Sequence, residues 1–122
     1  MIKGIAGVII WTANAERLAS FYRDILDMEP VSQRDGFIAF QFGELRLTIT
    51  DHSEVKGKAK DPLRIMVNLA VDDIHSAYQR LRGKGVEFLR EPEKEHWGGY
   101  VATFKDPDGN VLQLLQQPSA GN

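Results

Sequence analysis

The sequence predicts an α+β fold of two tandem βαβββ modules, their strands forming a cupped mixed sheet with the helices on the outside. Three observations carry this expectation. Short runs rich in β-branched residues alternate apolar and polar positions, as half-buried strands do. One stretch in each half places apolar residues at i, i+3, i+4 and i+7, the stripe of an amphipathic helix. The order strand, helix, three strands then occurs twice, half a chain apart, and such an internal repeat fixes an architecture.

The elements follow in order. Ile5–Trp11 is an apolar run of strand length. Asn14 stands where an N-cap belongs, and Leu18, Phe21, Tyr22 and Ile25 form one face of the helix after it. Pro30 stops that helix. Val31–Arg34 and Phe37–Phe42 flank Asp35-Gly36, a hairpin signal in which Gly supplies a positive φ for a primed turn. Gly43-Glu44 turns the chain into Leu45–Thr50. The polar, lysine-rich stretch 52–62 reads as a linker. In the second half Arg64–Val71 is a strand, and Asp72 or Asp73 caps a helix striped by Ile74, Ala77, Tyr78 and Leu81. Gly83 and Gly85 end it. Val86–Leu89, Tyr100–Phe104 and Val111–Leu115 are the last strands, with Asp106-Pro107-Asp108-Gly109-Asn110 as the final turn. Residues 1–117 are thus expected to form a single domain of two modules, about 3–51 and 63–117, with a flexible tail at 118–122.

Strand alternation sorts the residues into two faces. Val8 and Ile10, Leu45, Leu47 and Ile49, Ile65, Val67, Leu69 and Val71, and Leu112 and Leu114 form aliphatic faces that pack under the helices. The opposite faces carry Gly7, Ile9 and Trp11, Arg46, Thr48 and Thr50, Arg64, Met66 and Asn68, and Val111, Gln113 and Leu115. A mixed polar and aromatic wall of this kind suits a small-molecule pocket.

Composition narrows the function classes. The formal charge of −2 gives no basic surface for nucleic acid. No apolar run approaches the length of about 20 residues needed to span a bilayer. The absence of cysteine removes thiolate nucleophiles and zinc–thiolate sites and fits a reducing cytoplasm. No signal-peptide pattern follows Met1, so a cytoplasmic location is expected. Ser20, Ser32, Ser53 and Ser76 show no nucleophile elbow, and Gly98-Gly99 is too short to cradle a phosphate.

Three segments give the chain a family resemblance. Leu18-Ala-Ser-Phe-Tyr-Arg-Asp-Ile-Leu26, Ala70-Val-Asp-Asp-Ile74 and Phe104-Lys-Asp-Pro-Asp-Gly-Asn-Val-Leu-Gln-Leu114 resemble the vicinal oxygen chelate superfamily. That family includes glyoxalase I, extradiol dioxygenases, and fosfomycin- and bleomycin-resistance proteins. The resemblance runs from about Ile5 to Gln117. It implies a cup holding a divalent metal through His, Glu or Gln, one each from the first, fourth, fifth and last strands. Carried over by position, these ligands fall on Gly7, Thr48, Met66 and Gln113. Glycine has no donor, a thioether suits soft ions, and a neutral hydroxyl is a poor ligand. Shifting by two residues finds no His or carboxylate either. No metal site and no cofactor are therefore expected.

The expected function is that of a metal-free small-molecule-binding protein of the glyoxalase/bleomycin-resistance type, which sequesters or acts on a small, partly apolar compound. The candidate binding residues are Trp11, Arg46 and Thr48 from the first module and Arg64, Met66, Asn68, Tyr100 and Gln113 from the second, with Trp97 at the rim. Arg46 and Arg64 would hold a carboxylate or phosphate. His96, oriented by Glu93 or Glu95, is the one candidate general base; His75 reads as a surface residue and His52 as part of the linker. The resemblance also implies a homodimer. Two alternatives stand beside this reading: a metal-dependent lyase, isomerase or dioxygenase using other ligands, and an interaction module whose cup face buries against a partner.

Overall fold

The computed structural model describes residues 1–119. The chain divides into two compact units, Met1–Gly57 and Lys58–Asn122, each built on one four-stranded sheet and one α-helix. Strand–helix–three-strand order recurs in both, as the repeat predicts. Residues 52–66 form no strand or helix. Of the expected tail, Pro118 and Ser119 are exposed and irregular, and 120–122 lie outside the described residues.

The first unit contains β1 (Gly7–Thr12), α1 (Ala15–Ser20), β2 (Pro30–Arg34), β3 (Phe37–Phe42) and β4 (Leu45–Asp51). Its sheet runs β1-β4-β3-β2, parallel between β1 and β4 and antiparallel elsewhere. Asn14 caps α1 as expected, its side-chain oxygen accepting from the Arg17 amide at 3.1 Å. The helix then widens into a π-turn, Phe21–Ile25, closed by the Leu26 amide on the Phe21 carbonyl at 3.0 Å. Asp27, at φ 57, reverses the chain toward Pro30. The β2–β3 turn forms at Asp35-Gly36, but only Gly36 is left-handed, at φ 74, so it is not the doubly positive primed turn. Leu18 and Tyr22 are fully buried, as are Phe40 and Ile49 on the strands they share a core with.

The second unit contains β5 (Val67–Ala70), α2 (Ile74–Gly83), β6 (Phe88–Lys94), β7 (Tyr100–Lys105) and β8 (Val111–Gln116), in the order β5-β8-β7-β6. Asp73 is the N-cap, accepting from the Ser76 amide at 3.2 Å. Ile74, Tyr78 and Leu81 are its buried stripe, and Phe104, Leu112 and Leu114 are buried on the strands. The Tyr78 and Phe88 rings meet edge to face at 4.7 Å, and Phe88 meets Phe104 at 5.3 Å.

One device recurs in both units. The last residue of the strand parallel to the first reaches back and caps the first helical amide. In the first unit Asp51 Oδ1 accepts from the Ala15 amide at 2.7 Å. In the second, Gln116 Oε1 accepts from the Ile74 amide at 2.7 Å. Each satisfies an amide that has no partner within its helix.

Three strand expectations change. The fifth strand begins at Val67, not Arg64; the chain before it turns, with the Arg64 amide on the Asp61 carbonyl at 3.2 Å. The sixth spans Phe88–Lys94 instead of Val86–Leu89, with register shifts on both sides of Arg90. Two bulges break the period of two on which sequence alternation depends. The first begins at Gly7 instead of Ile5.

Candidate ligand site

Register assigns each side chain to the face under its own helix or to the far face. In the first unit the far face has three rows. Trp11, Thr50, Phe37 and Arg34 form one; Ile9, Thr48, Ala39 and Ser32 the next; Gly7, Arg46 and Gln41 the third. Trp11 is 44% exposed and Arg46 is exposed, whereas Thr48 and Ala39 are buried. The His52 ring packs edge-on to Trp11 at 5.0 Å. His52 Nδ1 accepts from the Glu54 amide at 3.1 Å, so a neutral ring carries its proton on Nε2. The Arg34 guanidinium lies 3.8 Å from the Phe37 ring centroid. Arg46 Nε donates to Gln41 Oε1 at 3.2 Å. Neither arginine forms an ion pair among the described residues.

The far face of the second unit is a polar row crossing all four strands: Asn68, Gln113, Thr103 and Arg90. Gln113 Nε2 donates to Asn68 Oδ1 at 2.7 Å. Arg90 donates from Nε to Glu93 Oε1 at 3.2 Å and from Nη2 to Glu95 Oε1 at 2.6 Å. Hydrogen bonds to Glu93 and then Glu95 raise its guanidinium above the ordinary value, and the two carboxylates compensate its charge locally.

Trp11, Arg46 and Thr48 thus share the expected face in one unit, as do Asn68 and Gln113 in the other. Four expectations are corrected. Tyr100 lies on the helix face, paired with Gln116, its ring 5.3 Å from that of His75 on α2. The run Tyr100, Ala102, Phe104 starts one residue out of step with the polar face. Arg64 is an exposed turn residue 3.6 Å from Asp61, not a strand residue aimed at a ligand. Met66 precedes β5 and is 38% exposed. His96 is exposed, and the two carboxylates expected to orient it hold Arg90 instead. Trp97 sits at the tip of a turn closed by the Glu95 amide on the Gly99 carbonyl at 2.8 Å. Its ring occupies the space where a Cβ on Gly99 would lie.

Arg34, Phe37, Gln41, His52, Thr103 and Arg90 enter these faces or their edges without having been expected there. Arg34 and Phe37 had a signal: a two-residue turn at Asp35-Gly36 pairs its flanking residues directly. Arg90 had none, because the bulges beside it shift the parity.

The donors do not fit a divalent metal. Gly7 has no side chain, and an added Cβ would overlap the Arg46 carbonyl oxygen. Thr48 offers a neutral hydroxyl and Met66 a thioether; Gln113 binds Asn68 through its amide nitrogen. Among the described residues no three His, Asp or Glu side chains group closely enough to hold an ion. A divalent ion sheds its water only to several strong donors.

The fold and these faces define an α+β protein of tandem βαβββ units. The chain belongs to the Glyoxalase/Bleomycin resistance protein/Dioxygenase superfamily, which residues 4–114 match. It is 31% identical over 123 residues to YetH, an uncharacterised protein of Bacillus subtilis (strain 168), covering 95% of this chain and 100% of that one. It is 30% identical over 107 residues to a bleomycin resistance protein of Klebsiella pneumoniae, covering 80% of each. The crystal structure of a lactoylglutathione lyase from Agrobacterium tumefaciens matches with a TM-score of 0.74 at 19% identity, over 99% of this chain and 98% of that one. At that identity the likeness is one of fold. Among the described residues no helix is long and apolar enough to cross a membrane.

Proposed function

We propose that the chain is a metal-free small-molecule-binding protein that holds a partly apolar compound against the far face of a sheet. One observation carries the reading. The positions to which the family resemblance assigns metal ligands hold Gly7, Thr48, Met66 and Gln113, and the first has no room for a side chain. The surrounding groups are hydroxyls, amides, guanidiniums and an indole, which recognise organic ligands by hydrogen bonding and stacking. The 30% identity to a bleomycin resistance protein makes a bleomycin a natural probe of this reading. A homodimer belongs to the same proposal, and sedimentation equilibrium would test it.

The test combines two measurements on protein purified without chelators. Elemental analysis should find divalent metal well below one equivalent. Thermal-shift screening should find a bleomycin or another partly aromatic compound that raises the melting temperature, since a ligand that binds only the native state stabilises it. Stoichiometric tightly held Zn, Ni, Mn or Fe would sink the metal-free reading.

A further inference from the structure

The row Trp11, Thr50, Phe37, Arg34 carries an inference about what the first unit takes. Trp11 on β1 and Phe37 on β3 flank the short Thr50 on β4. Strands lie about 4.8 Å apart, so the two aromatic positions are separated by about 10 Å. Ring centroids in contact lie about 4.5–7 Å apart, so that interval admits one planar ring touching both neighbours. Within the row only Thr50 stands between them, with the His52 ring against Trp11 at 5.0 Å, and the Thr50 hydroxyl is already engaged, donating to the Gly36 carbonyl at 2.9 Å.

Charge supplies the second half of the argument. Arg34 ends this row beside Phe37, and Arg46 lies on the same face. Neither is ion-paired among the described residues, whereas Arg90 in the other unit is held by two carboxylates. The rows contain no Asp or Glu: Asp51, whose strand position follows Thr50, turns its carboxylate to the Ala15 amide. An anion is therefore favoured here and a cation disfavoured. Against Trp11, His52 adds a ring whose neutral form donates from Nε2.

We propose that this row is a subsite for an arylalkanoic acid: its ring between Trp11 and Phe37, its carboxylate reaching Arg34 on a short saturated arm. The assignment rests on the small-molecule-binding reading and narrows it to one chemical class.

Isothermal titration of the whole protein with four probes tests it: 3-phenylpropionate, its primary amide, hexanoate and phenethylamine. The acid should bind at least about tenfold more tightly than each of the other three, the margin a charge-assisted pair and a stacked ring provide. It should also shift the Trp11 indole N–H resonance. Arg34→Gln should erase the preference for acid over amide. Trp11→Phe, which keeps a ring, should retain binding, and Trp11→Ala should lose the preference over hexanoate. Hexanoate or phenethylamine binding as tightly as the acid would overturn this ligand class and leave small-molecule binding intact. So would a screened ligand whose resonance shifts avoid Trp11 and Arg34. If neither these probes nor a broad thermal-shift collection binds at all, both readings fall.

Discussion

Replacing Asp51 by alanine tests how the end of β4 fixes the start of α1. The carboxylate accepts from the first helical amide at 2.7 Å, across 36 residues of sequence. It is an anion at the positive end of a helix, and the hydrogen bond is short. The Asn14 cap remains in the variant, because it serves the Arg17 amide. Losing one such acceptor costs about 1–2 kcal/mol. For a chain of 122 residues that corresponds to a fall in melting temperature of about 3–8 °C. Thermal unfolding followed by circular dichroism reads it. Asp51→Asn keeps an acceptor without the charge and should fall between wild type and alanine. Gln116→Ala removes the equivalent acceptor on the Ile74 amide and should cost somewhat less, because that bond is neutral. The reasoning is refuted if Asp51→Ala melts with wild type, or if Asp51→Asn loses as much as alanine.

Other outcomes follow from packing and charge. Leu18→Ala empties a fully buried position under α1 and should cost about 3–5 kcal/mol, read as a lower urea midpoint at unchanged slope. Gly99→Ala should drive the Trp97 ring off the backbone it covers and press the new Cβ on the Gln116 carbonyl oxygen, giving a lower melting temperature and a red-shifted tryptophan emission that persists in Trp11→Phe; an unchanged spectrum would contradict the packing. The amide and hydroxyl of Ser76 hold Asp73 below its ordinary carboxylate range. Its capping contribution is therefore fully present above the unfolded value of about 3.9 and is lost as pH falls through the lower folded value. Asp73→Asn should flatten that acid limb of the stability profile; an unchanged limb would remove the assignment.

Much of the fold was legible because it is written in local rules. Asn14 was legible as a cap, and the second cap was narrowed to Asp72 or Asp73, of which the structure uses Asp73, because short polar side chains before an apolar stripe compete for free amides. Leu47 and Ile49 were placed under a helix, and Thr48 opposite them, because an unbroken strand alternates strictly. The site was only half legible. Tyr100 fell on the wrong face and Arg64 in the wrong element, because one residue of parity or a late strand start reverses a side chain's direction. Arg90 was hidden by two bulges that no composition signals.

The amino-acid sequence alone determined the repeat, the two helices and the aliphatic strand faces, since each depends on residue type and short-range spacing. Tertiary structure decided which distant side chains meet. Only strand pairing sets Trp11 level with Phe37 and brings Asp51 to the Ala15 amide. Register is a property of paired strands, fixed by the cooperative burial of a whole face, and single residues do not carry it.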